Sequence, residues 1–263
     1  MVNITGINPT NWSLDLRGCV LHNGVRLFTN SPMRMMKRFV FSIAGLVCLT
    51  TIISAAVILI AQERAEESSW GNPLFNGKTF DGWEFRNEAN ATVFRIADGA
   101  IVGGSMTERL PFTEYIVTTK EYGDFVLRLQ AKCIGNTANG GVQIRSFRQP
   151  KDHQKPHEMV GYQADMTSTH QYWGSLYEAG RRQSWFVAEA DPELVKSIFR
   201  PNDWNDVEII AKGDNIKIFL NGKLTVDYTE KDPNIPRKGF IGLQVHDGGP
   251  HECWYRNIRI LEE

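Results

Sequence analysis

Two dipeptides constrain the fold of this chain more than any other feature. Asp98-Gly99 and Asn221-Gly222 each stand between short runs of alternating apolar and polar residues. Such pairs tolerate the left-handed backbone of a two-residue hairpin, so each predicts two adjacent antiparallel strands. The first joins Val93–Ile96 to Ala100–Val102, and the second joins Asn215–Leu220 to Lys223–Tyr228. The same period of two runs through Tyr115–Thr119, Asp124–Lys132, Gly141–Phe147, Met159–Met166, Asp206–Ala211, Gly239–His246 and Cys253–Leu261. Pro192–Phe199, behind a capping Asp191, is the one stretch here that reads as a helix. About ten strands with one short helix predict an all-β sandwich, best arranged as a curved jelly roll of two antiparallel sheets.

The N-terminal part obeys a different rule. Phe39–Ala61 is 23 residues without a charge. As a helix it spans roughly 34 Å, enough for a bilayer core of about 30 Å. Arg34, Lys37 and Arg38 precede it, and Glu63, Arg64, Glu66 and Glu67 follow. The basic flank belongs on the cytoplasmic side, which places the C-terminal domain outside the cytoplasm. The segment is read as a transmembrane anchor, with a signal peptide cut near Ala61 as the alternative. In the second case the domain is secreted or periplasmic. The expected organisation is therefore an N-terminal segment 1–38, an anchor or signal 39–61, a linker 62–72 and a β-sandwich 73–263.

Net charge is −1, so there is no basic excess of the kind that nucleic acid demands of a partner. Cys133 and Cys253 lie at the edges of two predicted strands. Outside the cytoplasm they can form a disulfide, or they are two isolated thiols. No spacing of Cys and His marks a structural metal site.

Three strands share a polar phase. Gln143 and Arg145 alternate with Val142 and Ile144, Gln163 and Asp165 with Tyr162 and Ala164, and Gln244 and His246 with Leu243 and Val245. Side chains two apart lie on one face of a sheet, so these six can form one polar surface. The stretch 158–182 then continues into a loop with Trp173, Tyr177, Glu178, Arg181 and Arg182. Adjacent arginines beside Trp173 and Trp185 suit sugar contacts through stacking and forked hydrogen bonds. The plain alternatives are ordinary sheet amphipathicity, an Arg145–Asp165 cross-strand pair, loop packing for Tyr177, and a strand-ending role for His246 before Asp247-Gly248-Gly249. Trp83 and Trp254 read as core.

Six motifs carry a resemblance. PLFNGKTFDGWEF at Pro73–Phe85, NGGVQIRSF at Asn139–Phe147 and GYQADM at Gly161–Met166 come in that order. YWGSLYEAGRR at Tyr172–Arg182, DWNDVEIIAKGDNIKIFLNGKLTVDYTE at Asp203–Glu230 and GFIGLQVHDGGPHECWYRNIRILE at Gly239–Glu262 follow. Together they resemble the 3-keto-disaccharide hydrolase family. The resemblance implies a fold similar to concanavalin A-like lectins and glucanases. It also implies cleavage of glycosides, such as disaccharides, whose sugar is oxidised to a ketone at carbon 3.

That chemistry asks for a base to take the acidified hydrogen at carbon 2, a stabiliser of the enolate oxygen, and an acid for the leaving oxygen. On this reading Asp165 or His246 is the base and Arg145 stabilises the enolate. Tyr177, Glu178 and Arg181 bind hydroxyls or supply the acid. Gln143, Gln163, Trp173, Arg182 and Gln244 complete the sugar contacts. No cofactor is firmly implied, and a divalent ion on Asp165, Glu178 and His246 can polarise the ketone. The competing readings are a non-catalytic carbohydrate-binding module and an ordinary glucanase, which needs two facing carboxylates. Divergence of Asp165, Glu178 and His246 in the fold favours the module.

Overall fold

In the computed structural model, residues 70–182 and 186–263 are described. The segments 1–38 and 39–61 and the start of the linker lie outside these residues. Among the described residues no helix is long and apolar enough to cross a membrane.

Among the described residues fifteen strands follow one another. They are β1 (Asn72–Pro73), β2 (Trp83–Phe85), β3 (Phe94–Ala97), β4 (Ala100–Ser105) and β5 (Glu114–Tyr122). Then come β6 (Phe125–Ile134), β7 (Asn139–Arg148), β8 (Met159–Thr167), β9 (Leu176–Ala179) and β10 (Phe186–Ala188). The last are β11 (Asn205–Lys212), β12 (Asn215–Leu220), β13 (Lys223–Thr229), β14 (Gly239–Val245) and β15 (His251–Glu262). A 3-10 turn covers Glu88–Val93. The helix α1 (Pro192–Ile198) is capped by the Asp191 carboxylate, which accepts from the Glu193 and Leu194 amides. Both hairpin dipeptides behave as expected. Asp98 and Gly99 have φ of 50° and 70°, and Asn221 and Gly222 have 49° and 77°.

The strands form two antiparallel sheets. One runs β13-β12-β11-β6-β15-β4-β3, with β1 beside β15. The other runs β10-β9-β8-β7-β14-β5-β2. Neighbours in space are distant in sequence, as in β6 beside β15 and β7 beside β14, which is the crossing pattern of a jelly roll. The core lies between the sheets. Leu127, Ile209, Ile218 and Tyr255 from the first sheet meet Val142, Ile144, Ala164, Leu176 and Leu243 from the second, all buried. Four short strands, β1, β2, β9 and β10, carry too few residues for a period of two to show in sequence.

Cys133 and Cys253 face each other directly across β6 and β15. Both are buried free thiols, with their sulfurs 3.8 Å apart. Burial pushes the Cys133 thiol well up, and Cys253 adds to the effect. Trp83 is core, and its indole nitrogen donates to the Leu74 carbonyl. Trp254 is not core. It lies on the outer face of the first sheet, with the Lys132 ammonium 4.5 Å from its ring centre.

Candidate functional site

The site is built on four neighbouring strands of the second sheet, β8, β7, β14 and β5. Asp165 of β8 pairs with Gly141 of β7, which pairs with Gln244 of β14, which pairs with Tyr115 of β5. One row back, Tyr177 of β9, Gln163, Gln143 and Gly242 lie in register. Paired residues share a face, so these side chains converge on the outer surface of the sheet. Two glycines leave room for the convergence. A Cβ on Gly141 would lie 2.5 Å from the Gln163 side chain, which crosses that space to reach Gln244.

The floor is a directed chain of hydrogen bonds. Ser146 Oγ donates to Gln143 Oε1 at 2.6 Å. Gln143 Nε2 donates to Gln163 Oε1 at 2.8 Å. Gln163 Nε2 donates to Asp165 Oδ1 at 2.7 Å and to Gln244 Oε1 at 3.1 Å. Gln244 Nε2 donates to the Tyr115 hydroxyl at 2.7 Å. From below, Tyr255 of the opposite sheet donates to the Gln244 carbonyl at 2.6 Å, tying this floor to the core.

Asp165 is 9% exposed, and none of the described cations pairs with it. Burial disfavours its charged form and pushes the carboxyl up to about 7, while the bond from Gln163 opposes the rise. Tyr115 is pushed well above the usual phenol range, mainly by burial, with the charges of Glu158, Tyr177 and Asp165 adding to the effect. Tyr177 moves the same way for the same first cause. Lys155 and Glu158 of the β7–β8 loop reach the same region, since both act on Tyr177. An aromatic wall stands at the β9–β10 edge. Phe186 stacks on Tyr172 at 4.8 Å and meets Tyr177 edge-on at 5.6 Å.

Five expected contributors are absent from this face. Arg145 sits in a bulge of β7 with φ 46°, where the register to β8 shifts between Ile144 and Phe147. The bulge turns its guanidinium away. It donates to the Gly123 carbonyl, the Gly213 carbonyl and Asp124 Oδ1 at 2.7–2.9 Å, clamping two turns rather than facing Asp165. The glycines opposite explain why the bulge fits. A Cβ on Gly161 would lie 2.3 Å from Ser146 Oγ, and one on Gly239 would lie 2.5 Å from the Arg145 carbonyl carbon.

Glu178, Arg181 and Arg182 lie on the opposite face of the same sheet. Glu178 pairs with Tyr162, one residue out of phase with Gln163. It is buried and held by both arginines, with Arg181 Nε 2.8 Å from Oε1 and Arg182 Nη2 3.0 Å from it. Arg182 also bridges to Glu230 at 2.7 Å, and Glu230 accepts from Tyr162 and Tyr228. Burial alone would raise Glu230, but bonds from Arg182 and Tyr162 hold it well below the usual carboxylate range. Arg181 lies over the Tyr162 ring at 4.3 Å. Trp173 is also core: it is 1% exposed, donates to the Thr167 carbonyl and packs on Phe199.

His246 stays near the rim. It directly follows β14, in phase with Gln244, and is exposed with Nδ1 2.9 Å from the Asp247 carbonyl and 3.1 Å from its carboxylate. That is the turn-associated position. The expected ion-binding trio is split, since Glu178 is on the core side and Asp165 on the outer side. Among the described residues no three His, Cys, Asp or Glu side chains gather into a metal-binding group. The face therefore collects Asp165, Gln143, Gln163, Gln244 and Tyr177, with His246 at its edge. It adds Tyr115, Tyr172 and Phe186, which sequence reasoning passed over.

Comparison with known proteins places the fold and the family. Two crystal structures of candidate glycosyl hydrolases from Parabacteroides distasonis ATCC 8503 share the fold. One has TM-score 0.55 at 22% identity, covering 75% of this chain and 96% of that one. The other has TM-score 0.51 at 22% identity, covering 73% and 98%. A Bacillus subtilis protein of unknown function with a galectin-like fold has TM-score 0.52 at 11% identity, covering 73% and 94%. No curated protein matches the chain in sequence. The sequence model of one family spans nearly all the described residues, 70–261, and on that match the chain belongs to the 3-keto-alpha-glucoside-1,2-lyase-like domain family.

Proposed function

We propose that this chain cleaves glycosides whose sugar carries a ketone at carbon 3, by elimination followed by hydration. The observation that carries the reading is Asp165. It is a nearly buried carboxyl without a cationic partner among the described residues, held by one amide and titrating at about 7. A general base works best when its pKa lies near the working pH. A carboxylate kept only to bind a neutral sugar has no need of such a shift.

The steps follow from the substrate. The Asp165 carboxylate takes the hydrogen from carbon 2. The electrons of that bond form a double bond between carbons 2 and 3, and the ketone oxygen becomes an enolate. When the enolate collapses, the ketone reforms, a double bond forms between carbons 1 and 2, and the bond from carbon 1 to the leaving oxygen breaks. The protonated Asp165 can return its proton to that oxygen. Water then adds across the new double bond. Tyr177 and the aromatic wall of Tyr172 and Phe186 bind the sugar, and Gln163 holds the carboxylate in place. This route does not need the paired carboxylates of an ordinary glycosidase.

A second reading is a carbohydrate-binding module, and it draws on the separation of Glu178 from Asp165. The two are told apart by incubating the protein with a 3-keto-glucoside and with its unoxidised parent, following aglycone release. Release from the keto sugar alone supports the lyase-type reading. Cleavage of the parent alone removes it, and binding without cleavage of either establishes the module.

A further inference from the structure

The floor of the site is not a symmetric set of amides, because each bond forces the direction of the next. The Asp165 carboxylate only accepts, so the Gln163 nitrogen must face it, while Ser146 has both Gln143 Oε1 and the Ile144 carbonyl as acceptors. Gln163 therefore turns its oxygen to Gln143 and its nitrogen to both Asp165 and Gln244. Gln244 in turn receives on its oxygen and presents its nitrogen to Tyr115. The Tyr115 oxygen is thereby made an acceptor, and its own proton is aimed elsewhere. Among the described residues nothing receives that proton. Tyr115 is 4% exposed, and a buried donor left without an acceptor is costly.

The chain thus ends in two complementary groups. At one end is the Asp165 carboxyl, whose second oxygen has no partner among the described residues. At the other is an O–H waiting for an acceptor. Both stand in one cross-strand row, separated by Gly141, which has no side chain, and by Gln244. Asp165 is close enough for its charge to act on Tyr115.

We propose that Tyr115 is a catalytic residue, the hydrogen-bond donor that receives the negative charge on the ketone oxygen when Asp165 removes the carbon 2 hydrogen. The inference rests on the reading of this site as one for 3-keto-glycosides. It supplies the enolate stabiliser that Arg145 cannot be. No proton leaves Tyr115 in the step. The carbon 2 proton goes to Asp165, the electron pair goes to the ketone oxygen, and the phenol donates a hydrogen bond to it throughout. A phenol whose titration lies well above the usual range remains such a donor at every working pH.

The test uses the full chain and 4-nitrophenyl 3-keto-α-glucoside, with release of nitrophenol as the signal. Tyr115→Phe removes the donor and keeps the ring. Its kcat should fall by about 100-fold or more, the loss seen when one oxyanion donor is removed, with KM unchanged. Gln244→Glu leaves Tyr115 in place but replaces the donor facing it by an oxygen, which captures the phenol proton. It should reproduce the loss in kcat with the Tyr115 ring intact. It decides the matter if Tyr115→Phe fails to fold, as judged by thermal melting. Exchange of the carbon 2 hydrogen in D2O should slow in both variants. A wild-type enzyme that cleaves, with both variants near its rate, overturns the role of Tyr115 and leaves the keto-glycoside reading standing. A wild type that does not release nitrophenol removes the reading itself, and the proposal with it.

Discussion

The two faces of strands β8 and β9 make an instructive pair. Tyr162 and Glu178 point into the sandwich, while their neighbours Gln163, Asp165 and Tyr177 point out. Both faces bury carboxylates, yet Glu230 and Asp165 shift in opposite directions. On the inner face Glu178 and Glu230 are matched by Arg181 and Arg182, and Glu230 is held far below its ordinary range. On the outer face Asp165 has an amide for company, and it is held up near 7. The difference is not burial but the charge of the partner. A buried acid beside a guanidinium is fixed as an anion. A buried acid beside a neutral donor keeps its proton within reach of physiological pH. The first arrangement serves architecture, and the second can serve proton transfer.

The strongest way to break this contrast is at Glu178. Glu178→Ala leaves Arg181 and Arg182 with one buried anion too few, which typically costs about 3–5 kcal/mol. For a domain of this size that is a fall of roughly 10 °C in Tm. Thermal melting measures it. A stability equal to wild type would show that the inner face is not held together by its charges, and the comparison would collapse.

Asp165→Asn comes next, and its effects should be split. Activity on a 3-keto-glucoside should fall by about 100-fold or more, the share a general base contributes. Stability should move the other way, as linkage requires. The folded pKa of about 7 lies above the unfolded value near 3.8, so the carboxyl contributes stability that is complete below about pH 4. That contribution is lost as pH rises through about 7. The neutral asparagine does not lose it. The variant should therefore match wild type in stability near pH 4 and exceed it at pH 8, by a difference of about 4 kcal/mol at most. Denaturant unfolding at the two pH values reads this directly. A variant less stable than wild type at pH 8 would mean that the carboxylate is paired after all.

The strands were legible because their signals are local. A period of two and the dipeptides Asp98-Gly99 and Asn221-Gly222 need no knowledge of the partner strand. The shared phase of Gln143, Gln163 and Gln244 was legible for the same reason. What escaped depended on pairing. Tyr177 and Glu178 are adjacent, and only the register of β9 on β8 decides which faces out; a slip of one residue would exchange them. Arg145 follows the outward phase in sequence, but the bulge after Ile144 breaks the alternation. Gly161 and Gly239, which flank that bulge in space, were its signal, though it needed the pairing to be read. Tyr115 follows ordinary strand alternation in sequence, and only the Gln244 amide of the paired strand distinguishes it.

A smaller perturbation sharpens the contrast at Gln163. Its amide is the single neutral donor to Asp165 among the described residues, and its bond lowers the carboxyl against the pull of burial. Activity that needs the carboxylate rises with pH through the Asp165 pKa, so the acidic limb of the pH–rate profile should lie near 7. Gln163→Met removes the donor and keeps much of the volume. The limb should then move to higher pH by about one unit, the worth of one hydrogen bond to a charged group. A limb that stays in place would mean that a different group governs the profile.

Tyr177→Phe should have the smallest effect and is the most discriminating about roles. The ring keeps its contact with Phe186, so the aromatic wall should survive. The hydroxyl is lost, and one hydrogen bond to a sugar hydroxyl is worth about 0.5–1.5 kcal/mol, or roughly three- to tenfold in kcat/KM. If Tyr177 only holds the sugar, KM carries the whole change and kcat is untouched. If kcat falls and KM does not, Tyr177 acts on the transition state, and the charge on the ketone oxygen is shared between two phenols of this face rather than assigned to Tyr115. Either outcome leaves the inner face unaffected, since Tyr177 makes no bond to Glu178, Arg182 or Glu230. The melting temperature should therefore stay at the wild-type value while the kinetics change.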